Sequence, residues 1–176
     1  LRMGTTGIAA QRFGADDNDG LRVALGQALV VAALIAVAFI VLQVPIGRLS
    51  MHLLGPDTET RVFALEYFSI RIWSAPGTLA NYVLIGWFIG LSNARVPLMI
   101  FLTINITNIV LDLLFVIVLG MKVDGVALAS VIAEYSGLLV GGTFAVAELR
   151  RRSGTWPIPK IVNVSAYKAF LSVNAH

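Results

Sequence analysis

Residues 23–47 contain no charged side chain. A helix needs about 20 mostly apolar residues to cross a hydrocarbon layer roughly 30 Å thick. This window of 25 is long enough, and a backbone placed in lipid must satisfy its own hydrogen bonds, which a helix does. Composition extends the point to the whole chain. Of 176 residues, 57% are apolar and 13% are charged, against roughly 45–50% and about 25% in ordinary soluble domains. So much apolar surface does not fit inside a soluble sphere of this size. The expected fold class is an all-α polytopic membrane protein, with the lipid bilayer as its first partner.

Further apolar windows place spans at about 1–13, 20–44, 59–91, 96–119 and 125–148. Asp19 is the expected N-cap of the second span and Pro45 its end. Residues 46–54 interleave Arg48, Ser50 and His52 with apolar positions and suit the membrane interface. Gly55, Pro56 and Asp57 make a turn. Pro76 removes a backbone donor and is expected to kink the third span. Pro97 falls in the first turn of the fourth, where proline is tolerated. The first span is too short to cross, and a new apolar run begins at Tyr167. The chain therefore reads as an internal piece of a longer protein, with 150–165 as a linker and 166–176 as the start of another helix.

Basic residues give the orientation. Arg12, Arg22, Arg95, Arg150, Arg151, Arg152, Lys160 and Lys168 fall on one side of this arrangement, and Arg48, Arg61 and Lys122 on the other. The positive-inside bias puts the first group in the cytoplasm. The net charge of +3 is thereby accounted for without a nucleic-acid partner. With no cysteine, a disulfide scaffold, a thiolate metal site and a cysteine nucleophile are excluded. No Gly-x-Ser-x-Gly, phosphate-binding loop or His/acid cluster is present. The chain is not expected to be an enzyme, and no metal site or cofactor is expected.

What remains is polar chemistry inside the spans. An ionised carboxylate facing lipid costs several kcal/mol, so Asp112 must face a cavity or partner helices. Asn105, Asn108 and Asp112 follow at offsets of three and four, which aligns them on one helix face. Glu134 lies near mid-span, with Ser130 one turn before it. It is either a functional acid or a protonated side chain bonded to a neighbouring helix. Gly125, Ala129, Ala133, Gly137 and Gly141 form a small-residue stripe that admits a second helix closely. Gly86 and Gly90 form another such pair. Trp73, Tyr82 and Trp87 read as belt or packing residues, and Arg71 as an interfacial group bonded to Glu66 or Tyr67.

Several motifs in order carry a resemblance: LRMGTTGIAAQRFG at 1–14, Tyr67 followed by IRIWSAP at 70–76, GWFIG at 86–90 with NAR at 93–95, NITNIVLD at 105–112, and GVALASVIAEY at 125–135. Together they resemble the MATE (multidrug and toxic compound extrusion) transporters, in the DinF-like branch. The resemblance implies the N-terminal six-helix lobe of a twelve-helix transporter, from mid-helix 2 to the start of helix 7. Helix 1 and the C-lobe would belong to the remainder of the same polypeptide, and the piece alone would be inactive. It implies a secondary antiporter of a bacterial inner membrane, exporting small cationic or amphiphilic molecules in exchange for H+ or Na+. Asp112, Asn108 and Ser130 then look like the ion-coupling residues, with serine where threonine is common. Asn81 and Asn105 would line the substrate cavity, and Glu134 takes a cavity-facing place. A lipid-precursor flippase of the same superfamily and a non-transporting membrane scaffold are the alternatives.

Overall fold

A computed structural model describes residues 1–157, 159 and 161. Among these residues, the α-helices that run in chain order are α1 (Arg2–Gly14), α2 (Asn18–Val41), α3 (Gln43–Leu54), α4 (Thr58–Arg71), α5 (Ala75–Gly90), α6 (Arg95–Asp112) and α7 (Val123–Arg151). A 3-10 turn, Ile72–Ser74, joins α4 to α5, and a π-helical turn, Leu113–Val118, extends α6. No strand occurs among the described residues. Among the described residues, three helices are long and apolar enough to cross a membrane: α2, α6 with its π extension, and α7. The chain is an all-α, multi-pass membrane lobe. Most of the expected linker beyond residue 157, and the helix expected at 166–176, lie outside the described residues.

The helix ends follow local chemistry, with some departures from expectation. Asp17, not Asp19, caps α2, accepting from the Gly20 amide at 2.7 Å. Asp19 instead accepts from the Thr155 amide at 2.8 Å. The α2 helix stops at Val41, with a step at Leu42, and Pro45 falls in the first turn of α3. The first four amides of a helix have no helical acceptor, so proline costs little there. Pro76 behaves in the same way, as the second residue of α5. The expected kinked span is thus two helices separated by a 3-10 turn. Gly55 ends α3 in the left-handed conformation, φ +57°, which glycine adopts without steric cost. Asp57 then caps α4.

At the centre lies α5, packed against α1, α2 and α7. Its Val83, Leu84, Ile85, Trp87 and Phe88 are all buried. Trp87 and Phe88 meet edge to face at 5.0 Å, and the Trp87 indole donates to the Leu21 carbonyl at 3.2 Å. Close approach depends on glycine. A Cβ on Gly86 would lie 2.6 Å from the Arg2 carbonyl oxygen, and one on Gly90 2.8 Å from that of Thr6. The pair is therefore the seat of α1. The stripe on α7 is buried throughout. Ile104 and Ile100 of α6 sit over Gly137 and Gly141, where added Cβ atoms would come within 2.5 and 2.8 Å.

A clasp closes the end where α2 begins and α7 finishes. Arg22, 3% exposed, donates to the carbonyls of Leu149, Arg152, Ser153 and Asn18 at 2.8–3.2 Å. It thereby caps the C-terminal turn of α7, where carbonyls lack helical partners. Arg152 pairs with Glu148 at 2.7 Å and lies 5.0 Å over the Phe13 ring.

Candidate functional site

Asn105, Asn108 and Asp112 share a face of α6, as the spacing requires, but they do not act as one group. Asn105 is exposed, and its amide donates to the Phe101 carbonyl one turn back at 2.7 Å. Asn108 reaches across to α7, where its Nδ2 lies 3.4 Å from the Ser130 hydroxyl. The small-residue stripe makes that reach possible by drawing the backbones together. Deeper in the same interface, the Ser136 and Thr107 hydroxyls meet at 3.3 Å.

Asp112 is half-buried. Its Oδ1 is shielded from solvent and accepts no hydrogen bond among the described residues. A buried carboxylate oxygen without a donor is costly. Immediately after Asp112 the helix widens into the π turn, where the Leu119 amide bonds back to Leu114 at 3.0 Å. Such turns often sit at functional positions because they re-aim neighbouring groups.

Glu134 faces the other way, toward the break between α4 and α5. Its Oε2 accepts from Asn81 Nδ2 at 3.0 Å, and its backbone carbonyl accepts from the same amide at 2.9 Å. Its Oε1 is 3.8 Å from Arg71 Nη2. Arg71 also donates to the Ser74 hydroxyl. Its partners are therefore Glu134 and Ser74, in place of the expected Glu66 or Tyr67. Asn81 is 2% exposed and packed inside the helix interface, with its Oδ1 unpartnered. Two polar groups result, Asn108–Ser130 beside Asp112, and Asn81–Glu134–Arg71. Asn105 joins neither.

Residues 1–114 match the MatE family. The chain belongs to that family. It is 43% identical over 141 residues to DNA damage-inducible protein F of Escherichia coli (strain K12), covering 80% of this chain and 31% of that protein. In fold it is similar to an inward-facing multidrug resistance MATE family transporter, with a TM-score of 0.82 at 23% identity over 98% of this chain and 39% of the other. It is also similar to the lipid II flippase MurJ in an inward closed conformation, with a TM-score of 0.67 at 21% identity over 97% of this chain and 33% of that one. The chain thus spans about a third of the length of the E. coli relative.

In this MatE lobe, three features escape a reading of the sequence. Arg22 registers there only as a cytoplasmic charge. Tyr135, whose hydroxyl donates to the Trp73 carbonyl at 3.0 Å, carries no signal beyond its position beside Glu134. The π turn lies within an unbroken apolar run, residues 113–119, with no glycine or proline in it.

Proposed function

We propose that this chain is the greater part of the N-terminal lobe of a secondary antiporter, in which Asp112 exchanges H+ or Na+ for an outgoing organic cation or amphiphile. The observation that carries this reading is the buried Asp112 Oδ1 with no donor among the described residues, one turn from the Asn108–Ser130 bond. A carboxylate without a donor is completed by a proton or by a hard cation. Carboxylate, amide carbonyl and hydroxyl oxygens are the ligand types that a hard cation takes. Loading the site neutralises a charge held among apolar helices and changes what Asn108 and Ser130 can bond. Antiport requires that ion and substrate favour different access states, since a site with equal affinity for both states drives nothing. Substrate then contacts Asn105 and Glu134 on the faces left open by α6 and α7, with Asn81 orienting the Glu134 carboxylate from within the interface.

The fold likeness to MurJ favours flipping of a lipid-linked precursor as the second reading. An anionic precursor needs free cations in the spans; Arg71 is engaged by Glu134 and Ser74, which leaves Arg2 of α1 to serve it. A scaffold role through the Gly86 and Gly90 face is disfavoured, because α1 covers that face. The deciding experiment is Asp112→Asn in the intact transporter. Ion-driven drug efflux from membrane vesicles is expected to fall to background with insertion unchanged. Wild-type efflux by that variant removes Asp112 from the mechanism.

A further inference from the structure

Two successive residues of α7 are committed to the single turn that interrupts α4 and α5. Tyr135 donates to the Trp73 carbonyl inside the turn. Glu134 brackets it, with Arg71 just before the turn at 3.8 Å and Asn81 just beyond it at 3.0 Å. Gly77 lies against the same residue, where an added Cβ would sit in ordinary contact 3.4 Å from the Glu134 backbone carbon. Pro76 has no amide proton, so the Ile72 carbonyl takes a 3-10 bond from the Ala75 amide in place of a helical one. A stretch with missing helical bonds is where a helix pair bends at least cost.

One member of this clamp can change charge. The groups facing Glu134 are Arg71 from α4, the Ser74 hydroxyl from the turn, through Arg71, and the Asn81 amide from α5. On α6 the only acid is Asp112. Asn108, one turn before Asp112, bonds Ser130, one turn before Glu134, and the helices run antiparallel. The two carboxylates are therefore about 12 Å apart along the axes, too far to share a proton.

We propose that Glu134 and Arg71 form a second, proton-operated latch of the lobe, separate from Asp112, in which the ion pair holds the α4–α5 break against α7 and protonation of Glu134 releases it. Glu134 takes its proton from water, and Arg71 keeps its charge. The attraction between them is lost, while the Asn81 bond to the Glu134 carbonyl and the Tyr135 bond to Trp73 remain. The helix α7 stays docked and only the break loosens. The latch requires no particular ion or substrate at Asp112.

The test is amide hydrogen exchange across residues 71–77 of the intact transporter in lipid nanodiscs, followed over pH and corrected for intrinsic rates. Wild-type exchange is expected to quicken on the order of tenfold as Glu134 is protonated. Glu134→Gln and, as a second variant, Arg71→Gln are expected to exchange fast at every pH. Asp112→Asn is expected to keep the wild-type response, which separates this test from that of the antiport reading. A pH response that survives Glu134→Gln or Arg71→Gln, one that vanishes in Asp112→Asn, or a wild-type protein that shows none, overturns the latch.

Discussion

The Tyr135 hydroxyl donates to the Trp73 carbonyl at 3.0 Å, tying the longest helix of the lobe to the 3-10 turn that Pro76 forces on its neighbour. Phenylalanine keeps the ring and removes only that donor. Tyr135→Phe is expected to lower stability by about 1 kcal/mol, the usual net worth of one such bond. Thermal unfolding in detergent measures it, and an unchanged midpoint would mean that the carbonyl finds another donor.

Gly86 has no room for a methyl group. The obstacle is the Arg2 carbonyl, 2.6 Å from the added Cβ, and backbone cannot rotate aside as a side chain does. Gly86→Ala is expected to push α1 off α5 and cost about 2 kcal/mol or more. Gly142, with nothing within 4 Å of its added Cβ, is the control. Gly142→Ala should alter stability by less than about 1 kcal/mol, with helix propensity in its favour. The two unfolding midpoints, measured side by side, test the contrast.

Arg22 satisfies four carbonyls at once. Arg22→Met keeps much of the buried bulk and removes the guanidinium that serves the Leu149, Arg152 and Ser153 oxygens. Bonds to a charged group are worth about 1.5–3 kcal/mol each, and unmade buried partners cost more than the mean suggests. The variant is expected to lose about 3 kcal/mol and to expose the chain around Arg151 and Arg152 to trypsin. Limited proteolysis reads this directly, and wild-type resistance would mean that the end of α7 is held by other contacts.

Asp57 gives the lobe an acid-sensitive cap. Its carboxylate accepts from the Thr60 amide at 2.9 Å and the Thr60 hydroxyl at 2.8 Å. The amide bond, then the hydroxyl bond, hold it below the ordinary value of 3.8. A carboxyl held low when folded contributes fully above its ordinary value and loses that contribution as pH falls through the folded one. The first turn of α4 should therefore fray only below pH 3.8, and Asp57→Ala should fray it at every pH. Hydrogen exchange at the Thr60 and Arg61 amides follows both. A variant indistinguishable from wild type at neutral pH would show that the cap is dispensable.

The spans were legible because the absence of charge over a bilayer's width has few other meanings. Their ends were less so. Asp16, Asp17, Asn18 and Asp19 are four capping residues in a row, and composition does not choose Asp17 among them. Pro45 and Pro76 mark breaks that occur just upstream, because proline is tolerated in the first turn of the helix that follows. The stripe on α7 announced a close helix partner, and the i, i+3, i+7 spacing from Asn105 to Asp112 announced a polar face. Which polar group meets which depends on pairs far apart in the chain. Glu134 lies 53 residues from Asn81, and Arg22 lies 127 from Leu149. No local pattern encodes either pairing. The spacing could not show that Asn105 turns back on its own helix, since sharing a face does not dictate what each side chain bonds.

The clasp around Arg22 fixes the heading of the chain that leaves α7. Because α2 grips the chain leaving α7, and Asp19 holds it again at Thr155, any tilt of α2 and α7 is passed on to residues 152–155, which inherit a direction as well as a tether.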